Sequence, residues 1–218
     1  MKKLLSALIV TFSLISSSAV MSAEYSLGIG ISDGAFHGYG KETNTVAVTE
    51  EAGVFEAGYG VIFGEMVVND RVSVGIEFVP GDFSTPTNTN LRLDKSTSSA
   101  SGSSVNNTAK ASFEHLMTAY VQAKIYGNAY AKLGIMQVNV LTNESLGTGG
   151  TYGNVDTTGV VLGLGYNHDL EDGIFVRLEV QAMQFEDVSA SNTTDSTKKI
   201  AVSDMMGAQG SIRIGKTF

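Results

Sequence analysis

The last stretch of the chain, Met206–Phe218, has the sequence MGAQGSIRIGKTF, and this stretch decides the fold class. Its larger apolar residues, including Ile212 and Ile214, share one parity, and polar residues or glycines occupy the other. Successive side chains of a strand point to opposite faces, so the stretch has one apolar and one polar face. A strand of a membrane-spanning barrel needs both, one face for lipid and one for the interior. Because a strand of a soluble sheet can alternate too, the rest of the chain must decide.

The chain begins with the features of a secretory signal peptide. Two lysines precede an apolar run from Leu4 to Ile15, and small residues follow up to Ala23. The apolar run is too short to cross a bilayer as a helix, so the pattern predicts a removable leader at 1–23 and not a membrane anchor. A cut after Ala19 is the alternative.

The mature domain, residues 24–218, has the length of one domain and no apolar segment long enough for a spanning helix. Its formal charge is −10, because the leader takes two lysines from a chain whose total is −8. An acidic chain without basic clusters argues against a nucleic-acid partner. The absence of cysteine excludes disulfides and lipid attachment through cysteine. Twenty-five glycines and only two prolines suit an all-β chain.

Seven further segments alternate like the C-terminal one, and none has a sustained helical period. The eight predicted strands lie at 25–31, 54–65, 71–79, 116–126, 129–140, 158–166, 173–185 and 206–218. In the second strand, Phe55, Tyr59 and Phe63 lie on the apolar face, which is assigned to lipid, and Glu56 lies on the opposite face. The fourth is rich in helix formers, but its alternation and the Gly-Asn pair at 127–128 favour a strand and a turn.

The connections between these segments alternate between short and long. Short turns are predicted at 66–70, 127–128 and 167–172, and long polar connections at 33–52, 81–111, 141–157 and 186–202. Outer-membrane barrels have this layout, with short periplasmic turns and longer extracellular loops, and an even strand number places both termini in the periplasm. A soluble β-sandwich, the alternative fold, gives no reason for long loops to gather at one end.

On this layout and on its C-terminal strand, the chain resembles the small eight-stranded outer-membrane barrels of the OmpA/OmpX-like group. In that group the terminal aromatic strand is the signal for the barrel-assembly machinery, and Ile212, Ile214 and Phe218 match it, whereas Lys216 departs from it. The resemblance implies an all-β, antiparallel, up-and-down transmembrane barrel in the outer membrane of a Gram-negative bacterium. Its partners would be membrane lipids, lipopolysaccharide and the assembly machinery. The sequence ends at Phe218, so we expect no periplasmic peptidoglycan-binding domain.

If the apolar faces meet lipid, the opposite faces collect charged side chains inside the barrel. The candidates for a charge network in the lumen are Glu56, Glu77, Lys124, Lys132, Arg177, Glu179 and Arg213. Buried charges must pair, and an eight-stranded barrel is only just wide enough for side chains to fill it. The sequence therefore predicts a charge-plugged lumen. The alternative, favoured by glycines on the inward faces, is a small porin-like channel for ions or small solutes.

The sequence has no recognisable catalytic or metal-binding pattern. Its three histidines, His37, His115 and His168, lie in predicted loops, turns or strand ends, and none has a serine beside it on one strand face. A lipid A-modifying enzyme, as some small outer-membrane barrels are, is a third hypothesis; we predict no enzyme and no cofactor. The predicted function is structural or surface-interacting, and the long loops are the place for an extracellular ligand.

Overall fold

The computed structural model describes residues 24–43, 48–94, 103–146 and 150–218. The signal peptide predicted at 1–23 lies outside the described residues. Within the described ranges, no helix is long and apolar enough to cross a membrane. The strands are β1 Tyr25–Thr43, β2 Val48–Asn69, β3 Val72–Phe78, β4 Phe83–Ser84, β5 Asn88–Asp94, β6 Ser103–Tyr126, β7 Ala129–Ser145, β8 Val155–Asp169, β9 Ile174–Phe185, β10 Val188–Ser191 and β11 Lys199–Thr217.

Eight of these strands close into a ring of antiparallel neighbours. The order is β1-β2-β3-β6-β7-β8-β9-β11, and β11 pairs back with β1 from Ser26 opposite Thr217 to Thr43 opposite Lys199. The short strands β4 and β5 pair with β6, and β10 pairs with β11. Closure pairs the backbone of the whole ring, as a sheet in a bilayer requires. The predicted eight-stranded antiparallel up-and-down barrel is confirmed.

The two ends of the barrel differ in how the strands connect. At one end, which we call the turn end, the connections are tight, and Gly127 takes the positive φ of 54° that favours glycine in a turn. Both ends of the barrel chain meet there, where the Phe218 N–H donates to the Tyr25 carbonyl at 2.8 Å. The opposite end, the loop end, carries the long connections. In outer-membrane barrels the short turns face the periplasm.

The long connections contain much more strand than the sequence predicts. β1 and β2 continue through most of 33–52, and β4, β5 and the first part of β6 lie within 81–111. β10 and the start of β11 likewise lie within 186–202. The predicted boundaries are wrong here because only strands with one apolar face have a clear alternation. Beyond the apolar belt the outward face no longer meets lipid, so the pairing continues without the pattern, although Phe36 and Phe83 in these segments still point inward.

Large apolar side chains form an exposed band around the outside of the ring, which we call the apolar belt. The belt residues are Leu27, Ile29, Ile31, Ile62, Ile76, Met117, Val121, Ile125, Leu133, Ile135, Val160, Leu162, Leu164, Leu178, Val180, Ile212 and Ile214. In seven of the eight ring strands these are the faces that the sequence assigns to lipid. A closed barrel with an outward apolar band is built to span a membrane.

The face assignment of β2 is wrong. Phe55, Tyr59 and Phe63 point into the barrel, and Ile62 and Glu56 point outward. The inversion has a physical reason, since the interior of this barrel is itself apolar towards the loop end and takes up Phe55 and Tyr59. Phe63, nearer the turn end, packs against Phe175 beneath the Arg177 guanidinium. Alternation shows that a strand has two faces, but it does not say which face meets lipid when both environments are apolar.

A bulge in β6 changes which side chains point inward. His115 has a φ of 54°, and the register with β7 shifts between Glu114 and Met117. On the turn-end side of the bulge Leu116 is buried in the interior, and on the loop-end side Phe113 packs there. Because of this one inserted residue, the inward-pointing residues of β6 have odd numbers on the loop-end side of the bulge and even numbers on the turn-end side.

Candidate functional site

Six charged side chains meet inside the barrel, and each is at most 7% exposed. We call this group the lumen cluster. Its members are Glu65, Glu77, Lys132, Arg177, Glu179 and Arg213. They come from β2, β3, β7, β9 and β11, which all direct alternate side chains inward. Three carboxylates face three cations, so the cluster is formally neutral.

Two cations bridge the carboxylates of Glu77 and Glu179. Lys132 Nζ donates to Glu77 Oε2 at 2.7 Å and to Glu179 Oε1 at 3.2 Å. Arg213 Nη1 donates to Glu77 Oε2 at 2.6 Å, and its Nη2 lies 2.8 Å from Glu179 Oε1. The four groups alternate in sign around a closed circuit. Each charged group therefore has two neighbours of opposite charge in place of water, and their attraction offsets part of its desolvation cost.

Arg177 and Glu65 form a second unit, on the turn-end side of the first. Arg177 Nη1 and Nη2 donate to the two carboxylate oxygens of Glu65 at 2.5 Å and 2.8 Å, which is a bidentate pair. The remaining donor, Arg177 Nε, reaches Asn167 Oδ1 at 2.8 Å. The Tyr120 hydroxyl donates to Glu65 Oε1 at 2.7 Å. The pair is therefore fixed by neutral partners on both sides.

Neutral polar side chains complete the lumen cluster. The Tyr130 hydroxyl donates to Glu179 Oε2 at 2.5 Å, and the Gln181 amide donates to Glu179 Oε1. Arg213 Nε donates to Ser211 Oγ at 3.1 Å. Aromatic faces add to this, because Lys132 Nζ lies 4.0 Å from the centroid of the Tyr120 ring. The buried charges are thus both paired and hydrogen-bonded, as burial of a charge requires.

An apolar layer fills the interior between the lumen cluster and the loop end. Its buried residues are Phe36, Tyr59, Val79, Phe83, Leu116, Met136, Val138, Val140, Val161 and Met183. Phe83 comes from β4, in the connection between β3 and β6, and not from a ring strand. Its ring centroid lies 5.0 Å from that of Tyr59, 5.1 Å from Phe113 and 5.5 Å from Phe36. The connection therefore places an aromatic side chain inside the barrel.

Five of the seven predicted lumen residues lie in the lumen cluster, and two do not. Glu56 is exposed because β2 has the opposite facing, so that its carboxylate points outward. Lys124 has the inward parity of β6, but it lies two residues from the end of that strand and its side chain reaches solvent. Both corrections concern the position of the side chain relative to the closed interior, which strand parity alone does not give.

Glu65 belongs to the lumen cluster although the strand pattern of the sequence does not assign it to the interior. It is 7% exposed and shares the inward face of β2 with Phe63. A signal was present, since a glutamate on the apolar parity of a spanning strand would meet lipid if that face pointed outward. Because Glu65 and Phe63 lie on the same face of β2, the charge of Glu65 indicates that the aromatic residues of this face point into the barrel.

The histidines are dispersed in the structure. His37 Nδ1 lies 3.3 Å from the Asp204 carbonyl oxygen, His115 Nδ1 lies 3.3 Å from Asn139 Nδ2, and His168 is exposed. His115 is also 4.0 Å from a carboxylate oxygen of Glu114. Across the described ranges, no three His, Cys, Asp or Glu side chains are grouped so that they could hold a metal ion.

Polar contacts tie the strand hairpins together at the loop end. The Tyr39 hydroxyl donates to Glu50 Oε2 at 2.6 Å, and Lys41 Nζ lies 3.0 Å from Glu50 Oε1. The hydrogen bond from Tyr39 and the charge of Lys41 lower the pKa of the Glu50 carboxyl below its ordinary value. Asn88 Nδ2 donates to Glu51 Oε2 at 3.1 Å and so links β5 to β2.

No protein-family model matches this chain, and no curated protein matches it. Solved structures with a similar fold are outer-membrane proteins. OprG from Pseudomonas aeruginosa is 15% identical, with a TM-score of 0.48 and coverage of 88% of this chain and 96% of that chain. Ail from Yersinia pestis is 10% identical, with a TM-score of 0.44 and coverage of 91% and 100%. The outer membrane protease OmpT from Escherichia coli is 10% identical, with a TM-score of 0.42 and coverage of 94% and 100%.

At these identities a likeness concerns the overall fold and carries nothing about activity or ligands. The architecture of the chain itself is explicit: a closed ring of eight antiparallel strands, an apolar belt outside and paired charges inside. These features make the protein an integral β-barrel of the bacterial outer membrane.

Proposed function

We propose that this protein is a non-conducting outer-membrane barrel, whose role is structural or lies in contacts made by its loop end. The lumen cluster is the observation that carries the proposal. Its cations and carboxylates reach across the interior and bind one another, as in the bidentate pair of Arg177 and Glu65. In a barrel of eight strands, side chains of this size fill the available width.

The interior has two barriers in series, which strengthens the argument for a closed lumen. An ion that passed the apolar layer around Phe83 would leave its hydration shell there, because that layer offers side chains without charge. It would next have to separate the bridged carboxylates of Glu77 and Glu179 from Lys132 and Arg213. Breaking such a buried pair leaves uncompensated charge, which is costly.

One observation favours the second candidate, a narrow porin-like channel. Ser32 Oγ and Gln122 Oε1 are buried, and within the described part of the chain neither has a hydrogen-bond partner. Buried polar atoms of this kind are usually satisfied by ordered water, so the interior has two places suited to water. Water at these atoms would still have to be continuous past Phe83 and the lumen cluster for ions to pass.

Single-channel conductance separates these two functions. Refolded protein that shows heat-modifiable gel migration is placed in a planar bilayer, and we expect no discrete current steps. Phe83→Ala is the matched control, since it opens the apolar layer but leaves the lumen cluster intact, and we expect it to stay silent too. Reproducible steps from the unmodified barrel would contradict the closed lumen and support the porin-like channel.

The proposal includes assembly by the barrel-assembly machinery through the C-terminal strand. Ile212, Ile214 and Phe218 are all exposed on the outer face of the barrel, where another protein can reach them. Lys216 also faces outward, with its Nζ 5.6 Å from the centroid of the Phe218 ring. We expect Phe218→Ala to slow membrane insertion in cells, whereas Lys216→Arg should insert at the normal rate.

Enzymatic activity is not part of the proposal. His115, at the outer edge of the apolar belt, contacts Glu114 and Asn139, and its hydrogen bonds in the described residues include no serine or threonine hydroxyl. A nucleophile in reach of a base is the first requirement of a covalent hydrolase. Mass spectra of lipid A from a deletion strain and an overexpressing strain test for such an activity. A difference in mass between the two would support the enzyme hypothesis.

A further inference from the structure

The loop-end part of β2 forms a sheet edge that lacks a strand partner on one side. β2 pairs with β1 from Val48 to Met66, but its pairing with β3 extends only from Asn69 to Ile62. Over residues 48–61, towards the loop end, β2 pairs with β1 alone among the described strands. We call this segment the open edge. Long edges of this kind are sites at which proteins add strands from other chains.

The hydrogen-bond pattern shows which backbone groups point to the open edge. The Val67 N–H donates to the Glu24 carbonyl at 2.9 Å, and the register of β2 with β1 then continues without a shift. Bonding directions alternate along an antiparallel strand, so odd-numbered residues of β2 bond to β1 and even-numbered residues direct their N–H and C=O groups the other way. Val54, Glu56 and their even-numbered neighbours therefore present backbone donors and acceptors at the open edge.

The next part of the wall leaves a gap beside the open edge. β7 occupies one side of β6, so β4 and β5, which also pair with β6, continue the wall on the side of β3. They come next to β2 but form no ladder with it in the described ranges. A side-chain contact spans the gap, since Asn88 Nδ2 donates to Glu51 Oε2 at 3.1 Å. Paired strands lie about 4.8 Å apart, and a gap that two side chains bridge is wider than that.

The side chains of the open edge define the kind of strand that fits it. Its even-numbered residues point outward, where Val48 and Val54 are 55% and 69% exposed and Glu50 and Glu56 are also exposed. Proline and lysine, which commonly block sheet edges, do not occur from 48 to 61. Opposite charges and β-branched pairs across strands stabilise a sheet. A fitting strand therefore has basic residues opposite the glutamates and β-branched residues opposite the valines.

We propose that the open edge is a docking site for an extended, basic segment of another protein, which binds at the extracellular surface as an added antiparallel strand. The inference rests on the proposed function, since it names the class of partner for the loop end. A second copy of this chain fits less well. Antiparallel pairing of two open edges would turn the second barrel upside down in the membrane, and the glutamates of the two copies would repel each other.

A synthetic peptide tests the proposal. Threonine occupies every second position, and lysine or valine occupies the others, so that lysines lie opposite Glu50 and Glu56. A control peptide has the same sequence and charge, but the backbone nitrogens of its lysines and valines, which would face β2, are methylated. Fluorescence anisotropy of labelled peptide measures binding to the refolded barrel in lipid vesicles. We expect only the unmethylated peptide to bind, because methylation removes the backbone donors and leaves the charge.

A substitution in β2 locates the binding site. Val54→Pro removes one donor from the open edge and leaves the ladder with β1 intact, because the Val54 N–H points away from β1. We expect it to weaken peptide binding by about two- to ten-fold, which is what one backbone hydrogen bond contributes. Val54→Thr is the matched control and should bind as the unmodified protein does. Heat-modifiable migration confirms that each variant is folded. Equal binding of the two peptides, equal binding by the two variants, or no binding at all would overturn the proposal.

Two further measurements separate the other outcomes. Analytical ultracentrifugation without peptide should show a monomer, and a dimer that Val54→Pro abolishes would mean that a second copy occupies the open edge, which would overturn the proposal. Single-channel currents from the same preparation would contradict the closed lumen but leave peptide binding unchanged. A silent barrel that does not bind the peptide would contradict only the strand-docking site. The failures of the two proposals are therefore distinguishable.

Discussion

Arg177 and Glu65 lie three strands apart in the ring and 112 residues apart in the chain, and they form a bidentate pair across the lumen. Strand β9 supplies the guanidinium and β2 the carboxylate. The backbone ladder does not connect these two strands, so the pair is a cross-brace between separate parts of the wall. Its strength depends on both partners being present, because each is buried.

Removing one partner of this brace should destabilise the barrel strongly. We expect Arg177→Ala to lower the free energy of unfolding by about 3–5 kcal/mol, because Glu65 is left buried without its cation. Lys41→Ala is the control, since it breaks only the exposed pair with Glu50, which water screens, and should lower stability far less. Urea unfolding in lipid vesicles, followed by gel migration, measures both. Similar midpoints for the two variants would mean that Arg177 is not part of a buried network.

The corrected facing of β2 gives a second prediction. Ile62→Arg places a charge in the apolar belt and should cost up to about 2–4 kcal/mol, the penalty for arginine on the lipid face near the bilayer centre. Glu56→Arg lies on the same face of the same strand, but beyond the belt residues, and should change stability by no more than about 0.5 kcal/mol. The two variants are compared by the fraction that inserts into lipid vesicles and by their free energies of unfolding. If both substitutions are tolerated, Ile62 does not face lipid.

Phe83 should hold the connection between β3 and β6 inside the barrel. Phe83→Ala removes a buried ring that packs against Tyr59, Phe113 and Phe36, and we expect a cost of about 3–5 kcal/mol if the layer does not collapse around the gap. The loss should be local, so limited proteolysis should cleave this connection faster while the ring strands stay protected. Phe185→Ala, whose side chain is only partly buried, is the comparison. Unchanged cleavage would show that β4 is anchored by other contacts.

The hairpin of β1 and β2 should loosen in acid. The hydrogen bond from Tyr39 and the charge of Lys41 lower the pKa of Glu50, so their contribution to stability is present above the ordinary glutamate pKa of about 4.3. It is lost as the pH falls through the lowered pKa of the folded protein. A side-chain NMR titration of Glu50 measures the shift directly, and Tyr39→Phe should move the pKa back upward. No change in that variant would exclude the hydrogen bond as its main cause.

The parts of the fold that sequence predicts well are those where alternation has one interpretation. In β9, apolar residues such as Leu178 alternate with Arg177 and Glu179, and a charged side chain cannot face lipid cheaply, so the facing follows at once. In β2 both parities carry apolar residues or glycine along most of the spanning part, and the facing depends on what fills the interior. Glu65, near the turn end of β2, is the residue that decides the facing, because a charged side chain on its face of the strand cannot point into lipid cheaply.

Other features depend on closure of the ring, which no local pattern encodes. Phe83 enters the interior from a connection without periodicity, because a hydrophobic space exists there only after the strands have joined. The pairing of Arg213 with Glu77 likewise depends on the tilt and register of the whole barrel, which set the heights at which distant strands place their side chains. Sequence could therefore nominate most of the lumen cluster, but it could not say which charges meet.

The distribution of the lumen charges along the chain bears on how the barrel forms. Glu65 and Glu77 belong to the N-terminal strands β2 and β3, whereas Lys132, Arg177 and Arg213 come later, on β7, β9 and β11. The lumen charges of the first strands are thus negative, and those of the later strands are positive apart from Glu179. The charges of the lumen cluster are fully neutralised only when β11 is in place against β1. Electrostatic attraction between the first and the later strands favours joining of the seam, so an incompletely closed barrel retains uncompensated charge that opposes its release into lipid.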